Sequence, residues 1–429
     1  MAFPDRRHRL MEAMTEAVSE HGFPKTAVSQ ITLLAESSRT TFYENFANRD
    51  ECFLAAYRHQ RDAMGGVVRA VAGSRPLAEK PGAVLETLVR ELQADPAAAR
   101  LILVEALATP DRIRKEHEAW IAGVEKEVAA FLDAQPASAA LQIPAAALVG
   151  GIVEVLATRM LPAAPEPLAE LGGEITAWMG TYRLPAGVPP RGQGHWQELG
   201  RFAPMTEPAE YSSGLLPRGR SALPAPAAAA LRRERIVEAA VRLVASEGYA
   251  ALTVARIAEA ARVPRGAFYS HFKTKDEVLL AAQTEGLQRT MGAVAAAYSP
   301  PGPWPERVWR GLAAFLACVA EHSDHAQLDF VESYAAGREV TLRRQQNRLA
   351  FTLFLEEGYR ETVRGPSLGR FSSEAIAAAI FGLVRRLIVE GRTAQMMSLL
   401  PAAAYTVLAP FMGPQAAAEQ VERWAREGP

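Results

Sequence analysis

Arginine and tyrosine residues recur in two copies along this chain, at a spacing that suits contacts with nucleic acid. Arg39 and Tyr43 in the first copy correspond to Arg265 and Tyr269 in the second, 226 positions further on. An arginine can bind the edge of a guanine through two hydrogen bonds, which discriminates between bases by about 1–3 kcal/mol. The sequence contains no phosphate-binding glycine loop, dinucleotide-binding turn or nucleophile elbow. The pattern therefore favours a binding protein over an enzyme.

These residues belong to a longer repeat. A shift of 226 positions lays residues 9–57 over residues 235–283 without a gap, and 17 of the 49 aligned positions are identical. Chance similarity between two helical segments would not keep one register for so long. The sequence therefore predicts a duplicated module.

The elements that must position the repeated residues are clearest in the second copy. Apolar residues at helical spacing stop at Gly248, which predicts a first helix of about four turns. Thr253 caps a short second helix. Pro264 then opens a short third helix, where the first copy has Ser38, an ordinary N-cap residue. Two short helices joined by a tight turn and supported by a longer helix make a helix-turn-helix.

The run Ala267–Glu277, and less closely the run Phe42–Glu51, resembles the recognition helix and following turn of the tetracycline-repressor (TetR) family. The resemblance rests on an aromatic pair, a histidine, a phenylalanine and a Lys-x-Lys-Asp at fixed spacing, and it covers roughly 50 residues in each half. It implies an all-α fold in which each helix-turn-helix head is followed by a helical ligand-binding and dimerisation domain. It also implies a ligand-responsive regulator of transcription.

The resemblance further implies which residues meet DNA, since a recognition helix places its first residues at base edges and phosphates are held on either side. In the second head, Arg265 would read bases, with Gly266 and Ala267 allowing close approach. Arg256 would reach a base or a phosphate. Phosphates would be held by Thr253, Tyr269, His271 and Lys275. The corresponding set in the first head is Ser29, Ser38, Arg39, Thr40, Thr41, Tyr43, Asn45 and Arg49.

The two heads differ in charge. Residues 1–60 carry seven Lys and Arg against eight Asp and Glu, a net charge of −1, whereas residues 229–283 carry nine against six, a net charge of +3. Because neutralised phosphates supply most non-specific affinity, the second head is predicted to bind DNA more strongly. Glu36 stands in the turn where the resembled family usually has glycine, and Glu44 adds acid near the groove. Direct readout by the first head is therefore in doubt.

Several of these positions also have a purely structural interpretation. Four phenylalanines at helical spacing are predicted to be core residues that hold the recognition helices: Phe42, Phe46, Phe268 and Phe272. A lone tyrosine or histidine is more often surface filling than a phosphate contact, but its recurrence in a doubled motif favours contact.

Candidate ligand-pocket residues are aromatic and lie on predicted helices: Trp120, Trp309, Phe330 and Tyr334. Aromatic residues at helical spacing are more often core, so both interpretations stay open. His322 and His325 could bind a metal ion, but no third ligand is near in sequence, so no metal site and no cofactor are expected.

Composition gives the class of protein. The chain has 429 residues, of which 49% are hydrophobic and 22% charged, a formal net charge of −1 and two cysteines. Strand patterns are almost absent, which predicts an all-α protein. Cys52 and Cys318 lie in apolar helical patterns and are predicted to be core residues in a reducing cytoplasm. The first residues do not show the basic-then-apolar pattern of a signal sequence, so none is expected, and the longest apolar runs are predicted to be too short to span a bilayer.

We expect five segments. They are a first helix-turn-helix domain (1–57), a first ligand and dimerisation domain (58–183), a linker rich in proline and glycine (184–228), a second helix-turn-helix domain (229–283) and a second ligand and dimerisation domain (284–429). Long helices are predicted at 139–161 and 338–364, among others. The apolar last two helices of the first half either pair into a four-helix bundle, as in the resembled family, or form core within their own domain.

The sequence thus predicts a ligand-responsive DNA-binding regulator, expected to act as a repressor, made of two TetR-like units in tandem. Its expected partners are a double-stranded operator and a small-molecule effector of unknown identity, with no membrane. The two heads of one chain would form an intramolecular pseudo-dimer, although a homodimer of whole chains stays open. The alternative is that the second head alone reads DNA, while the first unit serves assembly or binds a partner.

Overall fold

The computed structural model describes residues 5–75, 79–136, 140–161, 168–201 and 224–427. Within these ranges the chain forms α-helices and short 3-10 turns, and its only β-type pairing is an isolated bridge between Leu141 and Arg183. The predicted all-α class is confirmed.

Two compact units make up the chain, and they do not follow the two halves of the sequence. Unit 1 comprises residues 1–193 together with 362–382 and 408–418, and unit 2 comprises 194–361, 383–407 and 419–429. The second half of the sequence therefore contributes two segments to unit 1.

The first half of the sequence provides nine helices of unit 1 in the described ranges. They are α1 Arg6–His21, α2 Val28–Leu34, α3 Arg39–Asn45, α4 Arg49–Ser74, α5 Lys80–Ala94, α6 Pro96–Leu103, α7 Asp111–Asp133, α8 Ala145–Arg159 and α9 Leu171–Gly180.

A similar order of helices follows in the rest of the described chain. Unit 2 contains α10 His195–Gly200, α11 Ala225–Glu247, α12 Val254–Ala260, α13 Arg265–Tyr269, α14 Lys275–Tyr298, α15 Trp304–Glu321, α16 Ser323–Phe330, α17 Arg338–Ala350 and α18 Gly358–Glu361. The last three helices have residues in both units, and they are α19 Phe371–Val389, α20 Leu400–Met412 and α21 Pro414–Glu427. Helix α11 is longer than the four turns predicted for the first helix of the second head.

Within unit 1, helix α8 crosses the first part of α19 on small residues. A Cβ atom added to Gly382 would lie 2.6 Å from the Cα atom of Gly150, and one added to Gly151 would lie 3.1 Å from the Cβ atom of Ala379. A side chain at Gly382 would therefore force the two backbones apart. Glycine thus permits this close crossing.

An ion pair joins the same two helices further along. Arg159 donates from Nη1 and Nη2 to Oε1 and Oε2 of Glu374, at 2.9 Å in both cases. The Arg159 side chain is only 4% exposed and that of Glu374 is 18% exposed. A paired geometry with two parallel hydrogen bonds fixes the rotation of the helices as well as their distance.

The predicted helix at 338–364 is wrong, because the chain there breaks into α17, a 3-10 turn at Phe351–Leu355 and α18. The carbonyl oxygen of Phe354 accepts hydrogen bonds from the hydroxyl of Tyr298 and the indole Nε1 of Trp304, both at 3.2 Å. Tertiary donors thus take the carbonyl group that a continuous helix would use internally.

The predicted helix at 139–161 begins later than expected, at Ala145 after Pro144. Residues ahead of it pair in an extended conformation: the amide of Gln142 donates to the carbonyl of Tyr182 at 2.9 Å, and that of Leu184 donates to Ala140 at 3.0 Å. Residues 137–139 lie outside the described residues.

Part of the segment predicted to be a linker is folded. Within 184–228, helix α10 buries Trp196, whose ring stacks on Tyr405 with centroids 4.2 Å apart. His195 Nε2 lies 3.0 Å from Glu422 Oε1. Residues 202–223 of the predicted linker lie outside the described residues. An indole ring can bury enough apolar surface to hold a short segment, which outweighs the proline and glycine around it.

In the part of the chain that the structure describes, one stretch, Thr393–Met412, is long and apolar enough to cross a membrane by length and composition alone. It is 72% buried within the protein, which is typical of a core helix.

Candidate nucleic-acid interface

Each head holds its recognition helix through the predicted phenylalanines. Phe42 and Phe46 are buried beneath α3, and Phe268 and Phe272 are buried beneath α13. Their interpretation as core residues is confirmed. With these rings inward, helical geometry turns the residues between them toward solvent.

The first turn of α13 presents an arginine to solvent. Pro264 is the N-cap residue, and Arg265 is the first helical residue and exposed. Among the described residues, Arg265 has no ion-pair partner. A Cβ atom added to Gly266 would meet nothing within 4 Å, so packing inside the protein does not require glycine there. Ala267 is half-buried. Gly266 thus leaves the backbone without a side chain next to the Arg265 guanidinium, which suits close approach to a DNA groove.

The side chains predicted to hold phosphates in the second head divide by exposure. Tyr269 is exposed and His271 half-buried, and Thr253 is exposed. The Thr253 hydroxyl already accepts from the backbone amide of Arg256 at 3.3 Å, which caps α12. Its hydroxyl hydrogen can still be donated outward.

Arg256 is held by a partner on the first helix of the head. Its guanidinium donates to Glu247 Oε2 at 2.7 Å and to Oε1 at 2.5 Å. This carboxylate raises the pKa of Arg256, and the guanidinium lowers the pKa of Glu247 in turn. To reach a base or phosphate, Arg256 would have to leave Glu247.

Lys275 was predicted to contact phosphate, but its ammonium group points into the head. Nζ donates to the carbonyl of Leu252 at 3.0 Å and to that of Tyr249 at 3.4 Å, and it lies 3.7 Å from the centre of the Tyr249 ring. Burial lowers the pKa of Lys275. In this conformation the predicted phosphate contact is not available.

Arg49, the counterpart of Lys275 in the first head, has the same place. Its Nη1 donates to the carbonyls of Thr26 at 2.9 Å and Phe23 at 3.2 Å, and its guanidinium lies 4.1 Å from the centre of the Phe23 ring. Nη1 of Arg49 is therefore engaged inside the head, and the phosphate contact of this residue stays a prediction. The local sequence gave no sign of this role, because carbonyl acceptors leave no side-chain signature.

The other predicted residues of the first head lie along α3. Ser38 caps the helix, because its Oγ accepts from the amide of Thr41 at 3.0 Å and lies 3.0 Å from the Thr41 hydroxyl. Arg39 and Thr40 are exposed, and so is Tyr43.

Asn45 and Ser29 differ from the expectation. Asn45 donates from Nδ2 back to the Thr41 carbonyl at 2.8 Å, so its side-chain amide bonds to a backbone carbonyl of its own helix, α3. Ser29 was predicted to contact DNA, and it lies in the first turn of α2, where the N-cap position is taken by Ala27, whose amide donates to Gln30 Oε1 at 2.6 Å. Ser29 is exposed one position inside the helix and has no capping role.

The turn between the two short helices has the same backbone in both heads. Glu36 has φ +47° and Arg262 has φ +54°, which are left-handed conformations that side chains other than glycine adopt at a cost of about 1–2 kcal/mol. The turn therefore forms without the glycine that the resembled family usually has there.

The first head has exposed apolar residues that the sequence interpretation missed. Leu33 is 78% exposed and Leu34 is 40% exposed on α2, where the second head has Glu259 and Ala260. Comparison of the two copies position by position could have found this difference.

The candidate ligand-pocket residues do not form one group. Phe330 and Tyr334 both lie beside the guanidinium of Arg344, which is 5.9 Å and 5.0 Å from the two ring centres. Trp309 instead packs on Trp424, with ring centres 5.5 Å apart.

Trp120 belongs to unit 1, where it is half-buried beside His117. Among the described residues, no group of three or more His, Cys, Asp and Glu side chains could hold a metal ion.

Two short helices joined by a tight turn and a solvent-facing arginine define a helix-turn-helix DNA-binding domain. Residues 236–282 match the family model of bacterial regulatory proteins, tetR family. The resemblance predicted for the second head is confirmed, because residues 236–282 of this chain form a tetR-family helix-turn-helix domain.

Two curated relatives align with this chain over 51 and 67 residues, similar in length to the match with the family model. The chain is 45% identical over 51 residues to an uncharacterized HTH-type transcriptional regulator, YerO of Bacillus subtilis, covering 12% of this chain and 18% of that protein. It is 40% identical over 67 residues to the HTH-type transcriptional repressor Rv1474c of Mycobacterium tuberculosis, covering 16% of this chain and 35% of that protein. The chain thus spans about a fifth to a third of the length of these relatives.

Solved structures are similar over larger parts. The fatty acid degradation regulator FadR from Bacillus halodurans is 19% identical, with a TM-score of 0.36, and the match covers 41% of this chain and 94% of that one. AibR, solved with isovaleryl coenzyme A and operator DNA, is 21% identical with a TM-score of 0.30, covering 38% and 96%.

Proposed function

We propose that this chain is a ligand-responsive, DNA-binding transcriptional regulator that acts as a repressor. The observation that carries the proposal is Arg265, an exposed arginine without an ion-pair partner among the described residues, at the start of a recognition helix in a tetR-family domain. The open space at Gly266 supports groove contact there. An effector that prefers a conformation with displaced heads would weaken DNA binding by its difference in affinity for the two conformations.

We further propose that one chain acts as a pseudo-dimer. Support comes from unit 1, where α8 of the first half crosses α19 of the second half through Gly150 and Gly382 and pairs through Arg159 and Glu374. Homodimeric helix-turn-helix proteins place two heads about 34 Å apart on one operator. Covalent linkage raises the effective concentration of the two halves to roughly millimolar, so the pair would survive dilution.

The operator would be asymmetric or read mainly by the second head. The first head is acidic, with Glu36 and Glu44 beside the proposed groove surface, and it exposes Leu33 on its supporting helix. Acid near phosphates opposes binding, while an exposed leucine suits a protein partner. These features favour the alternative in which the first half of the chain serves assembly and the second head alone reads DNA.

The test selects DNA sites from a random pool and measures the mass of the complex by light scattering. One 46.4 kDa chain on one asymmetric site is the expected result. Two chains on a palindromic site would contradict the internal pair. Failure to enrich any sequence would contradict the regulator itself.

Matched variants separate the roles of the heads. Arg265→Ala should weaken binding to the selected site about 5- to 150-fold and relax preference at one base position. Arg423→Ala removes an exposed arginine on α21 and should leave affinity within about twofold. Loss of affinity in Arg39→Ala equal to that in Arg265→Ala would show that both heads read bases and would reject the alternative.

A further inference from the structure

A short 3-10 turn joins the first helix of each head to its helix-turn-helix. It spans Phe23–Lys25 in the first head and Tyr249–Ala251 in the second, and each follows a glycine with positive φ, +80° at Gly22 and +78° at Gly248. A side chain at either glycine would be strained by this backbone conformation. The turn therefore lies at the same point of both heads.

A buried glutamate from the helical body binds the first amide of each turn. Glu105 Oε2 accepts from the amide of Phe23 at 2.9 Å, and Glu332 Oε2 accepts from the amide of Tyr249 at 2.9 Å. Glu105 is 4% exposed and Glu332 is 3% exposed. These residues are separated from their partners by more than 80 positions, so the bonds connect body to head.

The backbone that presents each glutamate is also the same. The C-cap residues of α6 and α16 are Val104 and Val331, with φ and ψ of −120° and −57° in the first case and −121° and −58° in the second. Each glutamate begins the 3-10 turn that follows. Helix α6 packs on α1, and α16 packs on α11. The same arrangement of glutamate, helix end and turn therefore occurs twice, although the two halves differ widely in sequence around Glu105 and Glu332.

Cations hold the opposite end of each turn. Arg49 and Lys275, the first residues of α4 and α14, donate to the carbonyl oxygens at the ends of the two turns. Each turn is thus held at its amide end by a carboxylate of the body and at its carbonyl end by a cation. Charged groups form stronger and more directional hydrogen bonds than neutral ones.

Packing alone does not require a carboxylate in this position. The site is costly for a charge because Glu105 is almost fully buried, and this burial raises the pKa of Glu105 even with Arg100 Nε at 3.0 Å from Oε1. An apolar side chain of similar size would fill the space without that cost. A directional bond specifies one position of the turn, which an apolar contact does not.

We infer that Glu105 and Glu332 are positioning residues that set where each DNA-binding head sits on its helical body. Movement of the end of α6 or α16 then displaces the turn and, through it, the recognition helix. This inference deepens the proposed function, since it names the residues that would transmit effector binding to the heads.

The test measures the position of the second head directly. Nitroxide labels on Lys273→Cys in the head and Glu321→Cys in the body use exposed sites, and the two native cysteines are buried. In Glu332→Ala, the distance distribution measured by pulsed electron resonance should broaden or shift, and operator affinity should fall at least about tenfold. Glu332→Gln keeps an accepting oxygen and should restore the distance and most of the affinity.

Further variants keep the outcome decisive. If Glu332→Ala does not fold, Glu332→Asp retains the charge on a shorter side chain and should still shift the distance. Glu357→Ala removes a carboxylate that pairs with Arg307 inside the body and should lower stability without moving the head.

Glu332 variants that lower the melting temperature but leave distance and affinity unchanged would overturn the inference. The distance between the labels is measured without DNA, so it tests the inference even if no operator is found. Failure to find an operator would reject only the proposed function.

Discussion

Breaking the ion pair between Arg159 and Glu374 should destabilise unit 1 strongly. Exposed ion pairs contribute about 0–1 kcal/mol, whereas removing one partner of a buried pair costs about 3–5 kcal/mol, because a desolvated charge is left without its partner. The arginine is 4% exposed and the glutamate 18% exposed, so water can reach part of the carboxylate. We therefore expect Arg159→Ala to lower the free energy of unfolding by about 3 kcal/mol.

A double-mutant cycle isolates the pair. The cycle compares Arg159→Leu, Glu374→Leu and the variant with both substitutions. The double variant removes both charges together and should lie within about 1 kcal/mol of the wild type. Urea unfolding followed by circular dichroism measures the free energies. Buried Trp178, whose ring lies near Gly151 at the α8–α19 crossing, provides a fluorescence signal from the same place.

The refuting result is additivity. Single substitutions at Arg159 and Glu374 that each cost under 1 kcal/mol, and that add in the double variant, would show that the pair is effectively solvated. The small-residue crossing would then contribute more than the ion pair to joining the two helices.

Three other perturbations test the same framework. Gly382→Val should cost several kcal/mol in thermal unfolding, because its Cβ would lie 2.6 Å from the backbone of α8, and an unchanged melting temperature would contradict the close crossing. Trp196→Ala should cost about 3–5 kcal/mol and expose residues near α10 to protease, since it removes the ring stacked on Tyr405, and unchanged protection would mean that the segment is held otherwise. Burial raises the pKa of Asp329 to about 7, so the protein stability that its neutral carboxyl group contributes is present below about pH 4 and is lost as the pH rises to 7. Burial lowers the pKa of His325 to about 3, so protein stability is lost as the pH falls from 6.5 to 3. The two changes in stability oppose one another, and each is on the order of 4–5 kcal/mol. In Asp329→Asn only the histidine effect of the two remains, so urea titrations at several pH values should show a loss of stability on acidification, and a flat profile in that variant would contradict the assignment.

Local sequence was enough to predict the heads because helix-turn-helix geometry is encoded over short distances. Apolar spacing, the caps at Ser38 and Thr253 and the phenylalanines of both recognition helices act within a few residues of one another. The turn at Glu36 and Arg262 forms without glycine, since the rest of the motif compensates for the cost of positive φ.

Partners far apart in the chain could not be found in this way. The inward position of Lys275 depends on backbone carbonyl oxygens, which every residue has. The pairing of Arg256 with Glu247 could not be predicted either, because a solvated arginine at position 256 would have the same sequence pattern. The break within 338–364 likewise depends on donors about 50 positions away that bind the Phe354 carbonyl.

The sequence by itself determined the all-α class, the doubled heads and their phenylalanine cores, because periodicity and capping are local properties of a chain. Tertiary structure alone decided that Glu105 and Glu332 hold their heads and that Arg159 meets Glu374 across 215 positions. Contacts of this kind depend on where whole helices pack, and packing is set by the sum of many weak apolar contacts that no short pattern records.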